Sequence, residues 1–148
     1  MKTVKEILDA KAKAVWSISP KAKVFDALML MSDKQIGALM VMDEKNEVRG
    51  IISERDYARK IILLGKTSKE TSVDEIMTPI EKMFYVKPSH TVEECMVLMT
   101  GKHIRHLPVC EEGKFLGLIS IGDVIKSLLT EKEDLIEQLS NYIAGKYM

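Results

Sequence analysis

The sequence predicts a mixed α/β fold made of two copies of one unit, each reading helix, strand, helix, strand, strand, helix, with a further helix at the C-terminal end. Three observations carry this. The segment Gly50-Ile51-Ile52-Ser53-Glu54-Arg55-Asp56 returns as Gly117-Leu118-Ile119-Ser120-Ile121-Gly122-Asp123, 67 positions on. The signals ahead of each copy come in one order, displaced by 67 to 69 positions. A chain of 148 residues, 46% apolar and 30% charged, is also long enough for one compact domain or two small lobes sharing a core.

Taken in order, Thr3-Val4-Lys5-Glu6 has the S/T-x-x-E capping signature of a helix start, and Ser72-Val73-Asp74-Glu75 repeats it 69 positions later. Residues 15–18 read as a strand leading into Ser19-Pro20, and 83–86 as a strand leading into Lys87-Pro88. After each proline an i, i+3, i+4, i+7 stripe marks an amphipathic helix: Val24, Ala27, Leu28 and Met31, then Val92, Cys95, Met96 and Met99. Two strands are expected at 35–42 and 103–110, followed by polar turns whose lengths differ by one residue. Each Gly-apolar-apolar-Ser-x-x-Asp segment then reads as a buried strand running into a helix. Its apolar residues are Tyr57, Ile61, Ile62 and Leu64 in the first copy and Val124, Ile125, Leu128 and Leu129 in the second. Residues 131–146 lie outside the repeat and read as a C-terminal helix with Leu135, Ile136, Leu139, Tyr142 and Ile143 on one side. The expected organisation is repeat 1 at 1–66, repeat 2 at 67–130 and the amphipathic helix at 131–148. Units of roughly 60 residues have few ways to cover both faces of a small sheet, so the copies are expected to pack on each other with pseudo-two-fold symmetry.

Lys+Arg and Asp+Glu both number 22, a balance that argues against a general nucleic-acid or membrane-surface binder. No apolar run approaches the roughly 18 residues of a membrane helix, and the first residues lack a signal peptide's apolar segment, so a cytoplasmic protein is expected. Cys95 and Cys110 then read as reduced thiols. With His103 and His106 they suggest a metal set, but Cys95 aligns with Ala27 and Cys110 with Met42, both apolar, and period two puts His103 on the other strand face from His106; no metal is expected. Trp16, Phe84 and Tyr85, beside the first strands, are expected in the core. No nucleophile, base and acid can be assembled, so the chain reads as a non-enzyme.

The recurring Ser-x-x-Asp is where a ligand is expected. The pattern is also a capping box, Ser accepting an orphan N–H and Asp reaching back, and the two roles are compatible because a helix start offers N–H groups and a positive dipole end to anions. A carboxylate is acceptor-only and can take two vicinal hydroxyls. Arg55 lies between Ser53 and Asp56, where a bound phosphate would be; Arg59, Lys60 and Lys126 follow on the two helices.

Laid out this way, the chain resembles the cystathionine-β-synthase (CBS) domain family in its tandem form, the Bateman module. The resemblance rests on Ile18-x-Pro20 and Val86-x-Pro88, on Ile104-Arg105-His106-Leu107-Pro108-Val109, and on the two Ser-x-x-Asp segments, and it covers all but the C-terminal helix. It implies β-α-β-β-α repeats and clefts that bind AMP, ADP, ATP, NAD or S-adenosylmethionine. Carried over, it places Asp56, Asp123, Ser53 and Ser120 at the ribose, and Arg55, Arg59, Lys126 and Gly122 at the phosphate. The adenine cleft falls to Ser17, Ile36, Gly37, Ala38, Ile104, Arg105, His106 and Pro108. The copies depart from each other at Met40 against Pro108 and at Glu54-Arg55 against Ile121-Gly122, so unequal clefts are expected. The implied function is an adenine-nucleotide sensor that signals to a partner protein and forms a homodimer. The alternatives are an NAD(H) sensor and a structural dimerisation module with vestigial clefts.

Overall fold

The structure, a computed structural model, describes residues 2–11 and 15–143. In chain order these form α1 (Val4–Ala10), β1 (Ser17–Ile18), α2 (Val24–Lys34), β2 (Ala38–Met42), β3 (Val48–Ser53), α3 (Glu54–Tyr57), a π-helical turn (Ala58–Ile62), α4 (Val73–Ile76), β4 (Thr78–Pro79), a 3₁₀ turn (Ile80–Lys82), α5 (Val92–Lys102), β5 (His106–Glu111), β6 (Lys114–Ser120) and α6 (Ile121–Ile143). They divide into two compact units. One is continuous, Ala14–Phe84; the other is split, Met1–Lys13 with Tyr85–Met148.

In the continuous unit the sheet order is β1-β2-β3-β4, β1 parallel to β2 and the remaining pairs antiparallel. The stripe on α2 buries Val24, Ala27 and Met31 against Leu39 and Val41 of β2, Ile52 of β3, Ile61, and Val73 and Ile76 of α4. Strand β2 is buried on both faces, since Ala38 and Met40 are also inaccessible. In the split unit β5 and β6 form the hairpin, with Glu112 and Gly113 both at positive φ in its two-residue turn. Val4, Ile7, Val86, Val92, Cys95, Met99, Leu107, Val109, Ile119 and Val124 make its core.

The units differ from the sequence repeats because helix starts are paired across them. An α-helix leaves its first N–H groups without intrahelical partners. Here Val73 N–H donates to the Ala22 carbonyl (2.8 Å) and Asp74 N–H to the Pro20 carbonyl (3.0 Å), while Val24 N–H donates to Thr71 (2.9 Å). The split unit repeats the device: Val4 N–H donates to His90 (2.9 Å), Lys5 N–H to Pro88 (3.0 Å) and Val92 N–H to Lys2 (3.0 Å). So the start of α1, which leads in the first sequence copy, pairs with the start of α5 of the second, and the start of α4 with that of α2 of the first.

Several expectations change. Thr3 makes no side-chain cap, whereas Thr91 forms a full capping box and Ser72 N–H is accepted by Glu75 Oε2 at 2.7 Å. The strand expected at 83–86 is a single bridge from Val86 to Val109, since Pro108, standing where the first copy has Met40, has no N–H with which to continue the ladder toward residue 84. The strands expected from 35 and 103 start at Ala38 and His106, because Gln35 and His103 cap the preceding helices in the left-handed conformation, φ 54° in both. The first motif's helix ends in a π turn that buries Ile61 but leaves Ile62 and Leu64 exposed. No Gly or Pro interrupts residues 123–143, so the second motif's helix and the expected C-terminal helix are one element, α6; the expected reach to Lys146 lies outside the described residues. Trp16, Phe84 and Tyr85 are exposed rather than in the core, and the Lys34 ammonium stands over the Trp16 ring at 4.3 Å.

Candidate functional site

Both Ser-x-x-Asp segments fold as their sequence requires. Ser53 ends β3 in an extended conformation and caps α3; its hydroxyl accepts Asp56 N–H at 3.3 Å, and Asp56 Oδ2 accepts Ser53 N–H at 2.9 Å and the Ser53 hydroxyl at 3.1 Å. In the second copy Ser120 Oγ accepts Asp123 N–H at 3.2 Å and Asp123 Oδ2 accepts Ser120 N–H at 2.8 Å. A capping box of this kind is worth about 1 kcal/mol.

A second contact fixes each helix start against the preceding strand. Glu54 N–H donates to the Gly37 carbonyl (3.0 Å), and Ile121 N–H donates to the Arg105 carbonyl (2.8 Å). Ala38 is paired with Ser53, and His106 with Ser120, so the strand that enters each hairpin begins beside the motif serine. In this way Gly37, Ala38, Ser53 and Asp56 converge in one unit, and Arg105, His106, Ser120 and Asp123 in the other. Ser17 pairs with Met40, two residues along β2 from Ala38, and is exposed. Ile36 and Ile104 pack on the two cores, and Pro108 is buried within β5 opposite Leu118.

Among the expected phosphate residues, Arg55 is half-buried in α3, while Arg59 and Lys126 are exposed. Gly122 is exposed on the first turn of α6, and an added Cβ there would meet only Ser120 Oγ at 3.5 Å, an ordinary contact. The fold therefore does not require a glycine at 122.

Two lysines complete the sites, and the sequence reading assigned neither to an aspartate. Lys60 Nζ lies 3.4 Å from Asp56 Oδ1 and donates to the Ile76 carbonyl at 2.9 Å. Its i, i+4 spacing from Asp56 was a readable signal. Lys11, just past α1, donates to Asp123 Oδ2 at 2.7 Å and to the Leu118 carbonyl at 2.9 Å. The 112 positions between Lys11 and Asp123 leave no local pattern to find.

The electrostatics of the second site follow from these contacts. Burial opposes ionisation of Asp123, but the bonds from Lys11 and Ser120 outweigh it and hold the carboxyl below its ordinary range. Burial lowers the His106 pKa; the Lys11 charge adds to this, Asp123 opposes it, and Arg105 again lowers it, so the imidazole is neutral at pH 7. Cys95, in the core, has its thiol pushed up to about 11, chiefly by burial.

The chain is matched twice by the family model described as CBS domain, over residues 4–63 and 73–130. It is 38% identical over 152 residues to CBSX3, a mitochondrial CBS domain-containing protein of Arabidopsis thaliana, spanning 98% of this chain and 73% of that protein. A protein with CBS domains from Burkholderia ambifaria MC40-6 is 48% identical in sequence, with a TM-score of 0.83 over 87% of this chain and 95% of the other. CBSX2, solved in complex with AMP, is 25% identical with a TM-score of 0.72, covering 89% of this chain and 99% of its own.

Proposed function

The chain belongs to the CBS-domain family as a tandem pair, a Bateman module, and from that premise we propose that it is a non-enzymatic regulatory module binding an adenine nucleotide, with AMP the first candidate ligand. The observation that carries the reading is how each motif carboxylate is used. The cap engages Oδ2 in both copies; among the described residues Asp56 Oδ1 is paired with Lys60 alone, at 3.4 Å, and Asp123 Oδ1 has no hydrogen-bond partner. Capping thus occupies half of an acceptor that could take vicinal ribose hydroxyls with its other half. Ser53 and Ser120 lie beside that acceptor, and Arg55, Arg59 and Lys126 are the candidate phosphate partners on the helices that follow. AMP in CBSX2 supports the ligand class. ADP, ATP and NAD share the adenosine part that this acceptor would recognise.

A regulatory module acts by favouring one arrangement of itself or its partner, which requires ligand affinity to differ between two states. The assembly we propose is a homodimer, with α6 contributing: Leu129, Leu135, Ile136, Leu139 and Tyr142 are all more than half exposed, and a second copy would cover them symmetrically. No helix among the described residues is long and apolar enough to cross a membrane. A reducing compartment such as the cytoplasm suits the free thiols Cys95 and Cys110.

Calorimetry with AMP on Asp56→Asn and Asp123→Asn, paired with ligand-free melting, tests the reading. Asn keeps a hydrogen-bonding group at the cap but removes the charged acceptor, so AMP affinity should fall more than tenfold while the fold persists. If both variants melt several degrees lower and bind AMP unchanged, the motifs are caps alone.

A further inference from the structure

We infer that Lys11 is a specificity-determining residue of the Asp123 site, selecting ligands that bring an anionic group, such as a nucleotide's phosphate, over the neutral nucleoside. The inference rests on the nucleotide reading above and adds to it a residue from a different helix and the reason for its choice.

The Lys11 ammonium donates to Asp123 Oδ2 at 2.7 Å and to the Leu118 carbonyl at 2.9 Å, with the two side chains 36% and 25% exposed. It therefore shares Oδ2 with the helix cap and stays beside the carboxylate when a ribose engages Oδ1. Charge-assisted bonds of this length, partly withdrawn from water, are not displaced by a neutral hydroxyl without loss. Lys11 cannot withdraw into apolar surroundings either, since an unpaired ammonium there is costly.

The space around this pair shows what would compensate. A recess of about 300 Å³ in the same unit is lined by Glu6, Lys11, Asp123, Lys126, Ser127 and Thr130, among others. Lys2, Lys11 and Lys126 bring three ammoniums to its lining, of which Lys11 is paired with Asp123, and the Thr130 hydroxyl is already donated to the Lys126 carbonyl at 2.9 Å. A ligand that takes Asp123 with hydroxyls alone removes part of the negative charge available to Lys11. One that also places a phosphoryl group between Lys11 and Lys126 replaces it, with the Ser127 hydroxyl as a further donor. Lysine is suited to this exchange because it holds phosphate as a mobile point charge rather than through a fixed fork. His106, whose protonation both Lys11 and Asp123 influence, stays neutral and does not substitute for the ammonium.

The test uses the full chain carrying Asp56→Asn, so that the Asp123 site alone reports, and compares AMP with adenosine by calorimetry. Lys11→Met keeps the aliphatic length and should cut the AMP-to-adenosine affinity ratio about tenfold, with adenosine binding as well as before or better. Lys11→Arg should restore most of the ratio, and the salt dependence of AMP affinity should be shallower in Lys11→Met. Lys11→Gln, which can still donate to Leu118, serves as a second variant and should behave as Met does. If AMP binds and adding Asp123→Asn abolishes it, yet Lys11→Met and Lys11→Gln leave the ratio unchanged, the inference is overturned while the nucleotide reading stands. If the Asp56→Asn chain shows no AMP binding, or binding that Asp123→Asn does not weaken, the nucleotide reading fails at this site and the inference falls with it.

Discussion

Gly50 and Gly117 open the two motif copies and look equivalent in sequence, but the structure predicts very different responses to alanine. At Gly50, paired with Pro79 of β4, a Cβ would fall onto the Thr78 carbonyl oxygen, with Met77 Sδ at 3.1 Å and the Pro79 Cα at 3.2 Å. Two of these three atoms are backbone, so relief requires β4 to move away from β3. Overpacking costs about 1–3 kcal/mol when side chains can adjust, and a backbone obstruction belongs at the upper end, about 3 kcal/mol. At Gly117 the Cβ would meet Leu8 Cδ2 at 2.7 Å, while the next atoms are at 3.9 Å. One methyl of a partly buried leucine can turn away, at a cost of about 1 kcal/mol or less. At roughly 2–4 °C per kcal/mol for a chain of 148 residues, Gly50→Ala should lower the midpoint by about 6–12 °C, and Gly117→Ala by about 4 °C at most. Thermal unfolding followed by circular dichroism reads both. Equal shifts, or a larger one for Gly117→Ala, would refute the argument that fixed backbone rather than local crowding sets the cost.

Three further outcomes are expected. The depressed His106 pKa means that the unfolded chain takes up this proton first on acidification, so the residue's contribution is present above about pH 6.5 and lost as pH falls through the folded value. His106→Gln should therefore lose less stability than the native chain between pH 7.5 and 5.5, and an unchanged difference in melting temperature would exclude it. Leu135→Glu with Leu139→Glu should convert a dimer to a monomer near 16.7 kDa by sedimentation, and a native chain already monomeric at micromolar concentration would remove the proposed interface. Gln35→Gly should raise stability by about 0.5–1 kcal/mol, because glycine adopts the left-handed cap, φ 54°, without a Cβ penalty; a lower melting temperature would contradict this.

Much of the fold was legible because the helical stripes and the motif are local patterns. Val24, Ala27 and Met31, and Val92, Cys95 and Met99, are buried where the 3.6-residue period places them. The misreadings share another cause. Gln35 and His103 carry no glycine to signal a left-handed cap, so helix ends were read as strand beginnings. Trp16, Phe84 and Tyr85 were assigned to the core by their size and position, yet they are exposed, a tertiary outcome that neither property encodes. The motif serines and aspartates were placed by their repeat, but the cation each aspartate meets depends on how the elements dock.

That docking explains why two similar motifs make dissimilar sites. Aligning the helix starts at Thr3 and Ser72 sets Lys11 against Ile80, an apolar residue in the 3₁₀ turn, so the lead-in of the continuous unit has no ammonium to offer Asp56. Asp56 is served from its own helix by Lys60, which is also tied to the Ile76 carbonyl of α4. Asp123 is served by Lys11, whose position depends on α1 remaining docked through Val4 and Lys5 to the carbonyls of His90 and Pro88. A change at Asp123 therefore acts on the end of α1, whereas a change at Asp56 acts first on the turn of helix that holds both partners. A single ligand chemistry meeting these two sites would bind with different strength and move different parts of the chain.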